Sequence, residues 1–226
     1  MLSKKEFSSK DFEAVEFTNQ IHPRILICSA YFEQGFSPYP FIFGRYAVLD
    51  GLLKALANLP ATYGFLIWDV YRPREVQRKL FDWMSREIRQ RYPNLNEQEH
   101  QAEVLKYVAA PAKIGDNYCS PHLSGGAIDL TLYDLVQGQP LDMGTSFDDC
   151  SEKAHSSYFD LKSKLSFEES EIKDRRDCLR KVMEGVGFVS YRYEWWHFDM
   201  GNVLWATAVG QSAVFGPLFG DKEWPL

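Results

Sequence analysis

Apolar residues recur at helical spacing in some stretches of the chain and alternate with polar ones in others. In YAVLDGLLKALANL, residues 46–59, Val48, Leu49, Leu52, Leu53 and Leu56 fall on one helical face. YGFLIWDVY, 63–71, is a short apolar run closed by Arg72-Pro73, which predicts a buried strand. Residue 72 precedes proline and is therefore held extended at the strand's end. A helix is expected from about residue 74 to 91, with Val76, Leu80, Met84 and Ile88 inward. Another is expected from Asn94 to Val108, because Asn94 and Glu97 have capping-box spacing. AIDLTLY, 127–133, alternates: Ile128, Leu130 and Leu132 face one way, Asp129 and Thr131 the other. Residues 169–184 read as a helix that stops near Gly185 and Gly187, and FVSYRYEWWHF then reads as one strand. Helices and strands mix without regular βαβ alternation. That predicts an α+β fold with a small, mostly antiparallel sheet and flanking helices. No repeat or low-complexity linker divides the chain, so one domain over residues 1–226 is expected.

Composition narrows the class. Apolar residues at 45% and charged residues at 25% are ordinary for a chain with a packed core. Aromatics at 15% are abundant enough to wall a rigid pocket as well as fill a core. A net charge of -6 without a basic cluster argues against a nucleic-acid partner. Cys28, Cys119, Cys150 and Cys178 are widely spaced and make no CxxC pair, so free thiols in a reducing compartment are expected. The first residues carry no apolar signal-type segment and no run reaches membrane-span length. A cytoplasmic protein without a membrane partner is the expectation, unless a signal peptide preceded residue 1; homo-oligomerisation is left open.

Two stretches carry chemistry. In SPHLSGGAIDL, 120–130, His122 sits in a loop and Asp129 on the polar face of the next strand, where aspartate is a poor strand former. A solvated edge position would also explain it. In RYEWWHFDM, 192–200, Glu194 and His197 flank two tryptophans. Two imidazoles and one carboxylate from His122, Asp129 and His197 are the ligand set of an open catalytic zinc site, with water in the fourth position. Glu194 is then a candidate to shuttle that water's proton to a leaving amine. Residues three apart on a regular strand point to opposite faces. Glu194 and His197 can meet only if the strand bulges at Trp195-Trp196 or Glu194 lies in a turn before it. His22, His100 and His155 are read as structural.

SPHLSGGAIDLTLY and EWWHF resemble the D-alanyl-D-alanine dipeptidases of the VanX type, zinc enzymes related to the DD-carboxypeptidases and the hedgehog fold. WDVYRP (68–73) and MGTSFD (143–148) match in the same order, so the resemblance covers roughly residues 46–200. It implies one zinc ion held by His122, Asp129 and His197, with Glu194 as the catalytic acid and base. Arg72 matches the arginine that steadies the oxyanion, and Asp148 and Ser120 match positions that hold the substrate's ammonium. Simpler readings stand beside these: Arg72 pairing with Asp69, Asp148 capping a helix, Ser120 a plain loop residue. The implied activity is hydrolysis of the small dipeptide D-Ala-D-Ala in peptidoglycan metabolism. The rivals are a zinc DD-carboxypeptidase acting on longer stem peptides and a zinc-stabilised binding module. The family's aromatic-Asn-Phe-Gly signature is present only as AYFEQGFSPYPF (30–41), and the tail from residue 201 has no counterpart in the resemblance.

Overall fold

The computed structural model describes residues 5–225. Its centre is a six-stranded sheet built from β2 (Ile25–Ile27), β4 (Tyr63–Asp69), β5 (Ala127–Asp134), β8 (His197–Asp199) and β7 (Val189–Ser190) in that order, with β6 (Gln139–Pro140) against the far end of β5. β2 runs parallel to β4; every other pairing in this sheet is antiparallel. A separate ribbon pairs β1 (Ala14–Phe17) with β3 (Ile42–Arg45). The α+β expectation is met.

The sheet's apolar face is covered by α2 (Tyr46–Ala57) and α5 (Phe167–Glu184). Val48, Leu52 and Leu56 of α2 are buried there with Ile128, Leu130 and Leu132 of β5, whereas Leu53 is exposed and Leu49 half-buried. A second core joins α3 (Arg74–Arg91) to α4 (Glu97–Tyr107), with Val76, Leu80, Met84 and Ile88 inward as their spacing requires. α1 (Ala30–Glu33) adds Tyr31 to this second core, and α6 (Val203–Val209) follows β8.

Three expectations need correction. α4 begins two residues later than expected, because Asn96 rather than Asn94 accepts from the backbone N–H of Glu99 at 3.0 Å. The sequence offers two Asn-x-x-Glu boxes, and in the second Asn96 and Glu99 each accept from the other's backbone N–H. α5 begins earlier, at Phe167, because Ser166 and Glu169 form a full capping box. The stretch 188–198 is not one strand. β7 and β8 are its two ends, paired antiparallel, and residues 191–196 form the turn between them. Among the described residues no helix is long and apolar enough to cross a membrane.

Candidate metal centre and active site

Strand register assembles the centre. Asp69 is paired with Asp129 across β4 and β5, and Asp129 with His197 across β5 and β8. Directly opposed residues share a face, so three strands contribute a row of polar side chains to the side away from the main core. β4 loses register between Ile67 and Asp69, an irregularity that turns Asp69 into this row. Asp129 is 1% exposed, which rules out the solvated-edge explanation.

His122 arrives from a short 3-10 turn, His122–Ser124, that ends on Gly125 with φ +69°. Gly126 then passes so close to β8 that a Cβ there would lie 2.4 Å from the Met200 carbonyl oxygen. These two demands explain the Gly-Gly of the motif: one glycine for the left-handed turn, one for the close approach.

The donor atoms converge. His122 Nε2 is 3.2 Å from His197 Nδ1, His197 Nδ1 is 2.9 Å from Asp129 Oδ1, and His122 Nε2 is 3.3 Å from Asp129 Oδ2. The other ring nitrogens fix the tautomers. His122 Nδ1 lies 2.8 Å from the Val70 carbonyl oxygen, which can only accept, so this nitrogen carries the proton. His197 Nε2 lies 3.0 Å from Asp199 Oδ1 and donates likewise. In the neutral rings both inward nitrogens then present lone pairs, beside a carboxylate that presents more of them. Three such donors within 4.8 Å of one another repel unless a cation lies between them. A tetrahedral ion with bonds of about 2.0–2.1 Å spaces its ligands by roughly 3.3 Å, close to what is seen. The residues fit a metal ion. Burial pushes the Asp129 carboxyl up, yet the two imidazoles outweigh this and hold it below the usual carboxylate range.

Glu194 lies in the turn before β8, which resolves its geometry in favour of a turn rather than a bulge. The Ser156 hydroxyl donates to the Glu194 carbonyl at 3.1 Å, and Leu130 N–H donates to the Trp196 carbonyl at 3.2 Å. So held, Glu194 Oε2 comes within 3.8 Å of His197 Nδ1. Burial pushes its carboxyl well above the ordinary range, with His197 the largest opposing influence. Both tryptophans pack in the main core; Trp196 also lines the cavity, while Trp195 donates to Thr145 Oγ1 at 2.8 Å.

Arg72 is buried and held by four side-chain hydrogen bonds. Its Nε donates to Asp69 Oδ2 at 2.9 Å, and its terminal nitrogens to Gln77 Oε1, to the Tyr31 hydroxyl and, at 3.3 Å, to Asp129 Oδ2. Pairing with Asp69 and facing the centre therefore hold together. Asp148 caps no helix. It sits at φ +60°, accepts from the Tyr31 hydroxyl at 3.2 Å through Oδ1, and has its Oδ2 buried without a partner. Burial pushes this carboxyl up to about 7, against the pull of Arg72. Ser120 is buried; the cavity lining takes in Pro121 and His122 but not Ser120. His22, His100 and His155 lie outside the centre; His100, for one, packs α4 on α3 through the Ser85 carbonyl.

Metal donors, Glu194, Arg72 and Asp148 all open on one cavity of about 280 Å³. Its apolar lining includes Leu80, Trp83 and Met84 of α3, Val108, and Val203 and Leu204 of α6. Three contributors were missed in the sequence: Tyr31, which joins Arg72 to Asp148, and Asp199 with Asn202 behind His197. Tyr31 lies inside the segment that departs from the family signature. Asp199 had a usable signal, since it lies two residues after His197 on one strand face.

Residues 37–214 match the family described as D-ala-D-ala dipeptidase. The D-alanyl-D-alanine dipeptidase of Synechocystis sp. is 32% identical over 206 residues, 84% of this chain and 80% of that protein. The D-alanyl-D-alanine dipeptidase of Enterococcus faecalis is 35% identical over 167 residues, 70% of this chain and 73% of its own length. That of Escherichia coli is 31% identical over 135 residues, 60% of this chain and 54% of the relative. The family match outruns the resembling stretch 46–200 at both ends and takes in α6. With a centre made of three converging lone-pair donors beside a buried acid, these matches mean that the chain belongs to the D-Ala-D-Ala dipeptidase family of metallopeptidases.

Proposed function

We propose that this protein hydrolyses D-alanyl-D-alanine to two molecules of D-alanine, using zinc held by His122, Asp129 and His197. The observation that carries the reading is the convergence of those three donors beside Glu194 in a cavity lined by Trp83, Tyr107 and Trp196. Zinc at such a centre supplies Lewis acidity, polarising a carbonyl and acidifying water. The chain's own groups do the rest. Glu194, whose buried carboxyl has a raised proton affinity, takes a proton from the attacking water. The water oxygen bonds to the scissile carbonyl carbon, the C–N bond breaks, and Glu194 returns the proton to the departing amine nitrogen. Arg72, clamped by Asp69 and Gln77, offers a fixed positive charge to the developing oxyanion.

Asp148 selects the substrate's length. Its partnerless Oδ2 faces a site where the dipeptide's free ammonium completes an ion pair, and Tyr31 holds the other oxygen in place. Ser120 is assigned to the same end of the substrate by family resemblance alone. The four free cysteines suit a reducing compartment, and we place the enzyme in the cytoplasm.

Initial rates on D-Ala-D-Ala and N-acetyl-D-Ala-D-Ala test the reading. Acetylation removes the ammonium and leaves Asp148 unpaired, a loss on the order of 3–5 kcal/mol, or roughly a hundredfold to several thousandfold in binding. The free dipeptide is expected to be cleaved and the acetylated one ignored. The reverse order would make the protein a DD-carboxypeptidase, and cleavage of neither would leave a binding module.

A further inference from the structure

Behind the metal centre lies a chain of hydrogen bonds that ends on a helix. Asp199 is 1% exposed and, two residues beyond His197 on β8, accepts from His197 Nε2 at 3.0 Å through Oδ1. The same oxygen accepts from Asn202 Nδ2 at 2.6 Å. Asn202 cannot turn its amide round. Its Oδ1 accepts the backbone N–H groups of Leu204 and Trp205 at 3.1 Å each, as the N-cap of α6. Its Nδ2 is thereby directed toward Asp199 and the Gly126 carbonyl. Neither Asp199 nor Asn202 lines the cavity. A buried carboxylate is expensive unless its partners need its charge.

We infer that Asp199 is a positioning residue for the metal: it accepts the Nε2 proton of His197, holding the ring in the orientation and tautomer that aim an unprotonated Nδ1 at the ion. Asn202 extends this support to α6, so the first turn of that helix anchors the ligand. Outer carboxylate partners of this kind set ligand basicity as well as direction, and their loss typically weakens metal binding about 10–100-fold. The inference rests on the proposed metal centre, but its readout does not depend on turnover.

The test is zinc affinity, measured on metal-stripped full-length protein by competition with a chromophoric chelator. Asp199→Ala is expected to bind zinc about 10–100-fold more weakly. Asp199→Asn, which keeps an acceptor oxygen but no charge, should fall between that variant and the parent. The visible spectrum of the cobalt(II)-loaded protein should shift in both. Urea midpoints of the stripped proteins separate folding from ligation. Should the alanine variant fail to fold, the asparagine variant decides alone. A folded variant with parental zinc affinity and an unchanged cobalt spectrum overturns the inference. An Asp129→Ala protein that retains full zinc occupancy would instead remove the metal centre itself, and with it any role for Asp199.

Discussion

Replacing Asp148 by asparagine is expected to stabilise the protein at the expense of its substrate affinity. The unfolded carboxyl ionises near the usual 3.8, whereas in the folded protein burial pushes it up to about 7. Between these values the native state holds a proton that the unfolded state has lost, so stability falls as pH rises through that window. A gap of about three pH units at 1.36 kcal/mol each is roughly 4 kcal/mol when the carboxylate is fully ionised. Asp148 is half-buried rather than sealed, and screening by water reduces this to about 2 kcal/mol. Asparagine tolerates the left-handed φ of +60° and keeps an oxygen for the Tyr31 hydroxyl, so the exchange removes charge and little else. Melting of the metal-stripped proteins reads the effect. The Asp148→Asn variant should melt about 4–8 °C above the parent at pH 8 and level with it near pH 4. KM for D-Ala-D-Ala should rise steeply in the same variant. Equal stability at pH 8, or a gain of the same size at both pH values, would refute the reasoning.

Further expectations follow from the same geometry. Glu194→Gln should retain zinc and lose turnover, because an amide cannot shuttle a proton; substantial residual activity with bound metal would move the base elsewhere. Arg72→Lys should depress kcat by roughly 10²–10³ while changing KM little, and a pure KM effect would make Arg72 a substrate-binding residue. It should also lower the melting temperature, since lysine cannot reproduce the fork that joins Asp69, Gln77 and Tyr31. Asp129→Ala should lose the metal, as atomic absorption of the dialysed protein will show.

Much of the centre was legible because its residues break local rules. Asp129 stands in a strand where aspartate is disfavoured, and Gly125-Gly126 sit together between His122 and β5; the first anomaly faces the converging donors, the second serves the turn that delivers His122. The helical faces of α2 and α3 were legible because burial follows periodicity. What stayed hidden depends on pairing between distant segments. Nothing local in RYEWWHF shows that Trp196 reaches the cavity and Trp195 does not, since the turn at 191–196 is set by the pairing of β7 with β8. Tyr31 owes its place to packing against Phe147 and Arg72, residues far along the chain. The start of α4 was ambiguous for a different reason: two equivalent capping boxes overlap, and only docking on α3 distinguishes them.

The row formed by Asp69, Asp129 and His197 draws on three strands separated by dozens of residues, and His122 must close on it from a loop. Contacts of such long range form late in folding, after the chain has met the entropy of closing large loops. With the proposed ligands so dispersed, an unfolded chain offers the metal no preformed site, and an ion at that centre would favour the native state. Binding of that kind adds RT ln(1 + [L]/Kd) to the stability, about 4.1 kcal/mol when free metal stands at a thousand times its dissociation constant. Metal availability would then set how long the protein survives in the cell as well as how fast it works, because the stripped form opens more often to proteases.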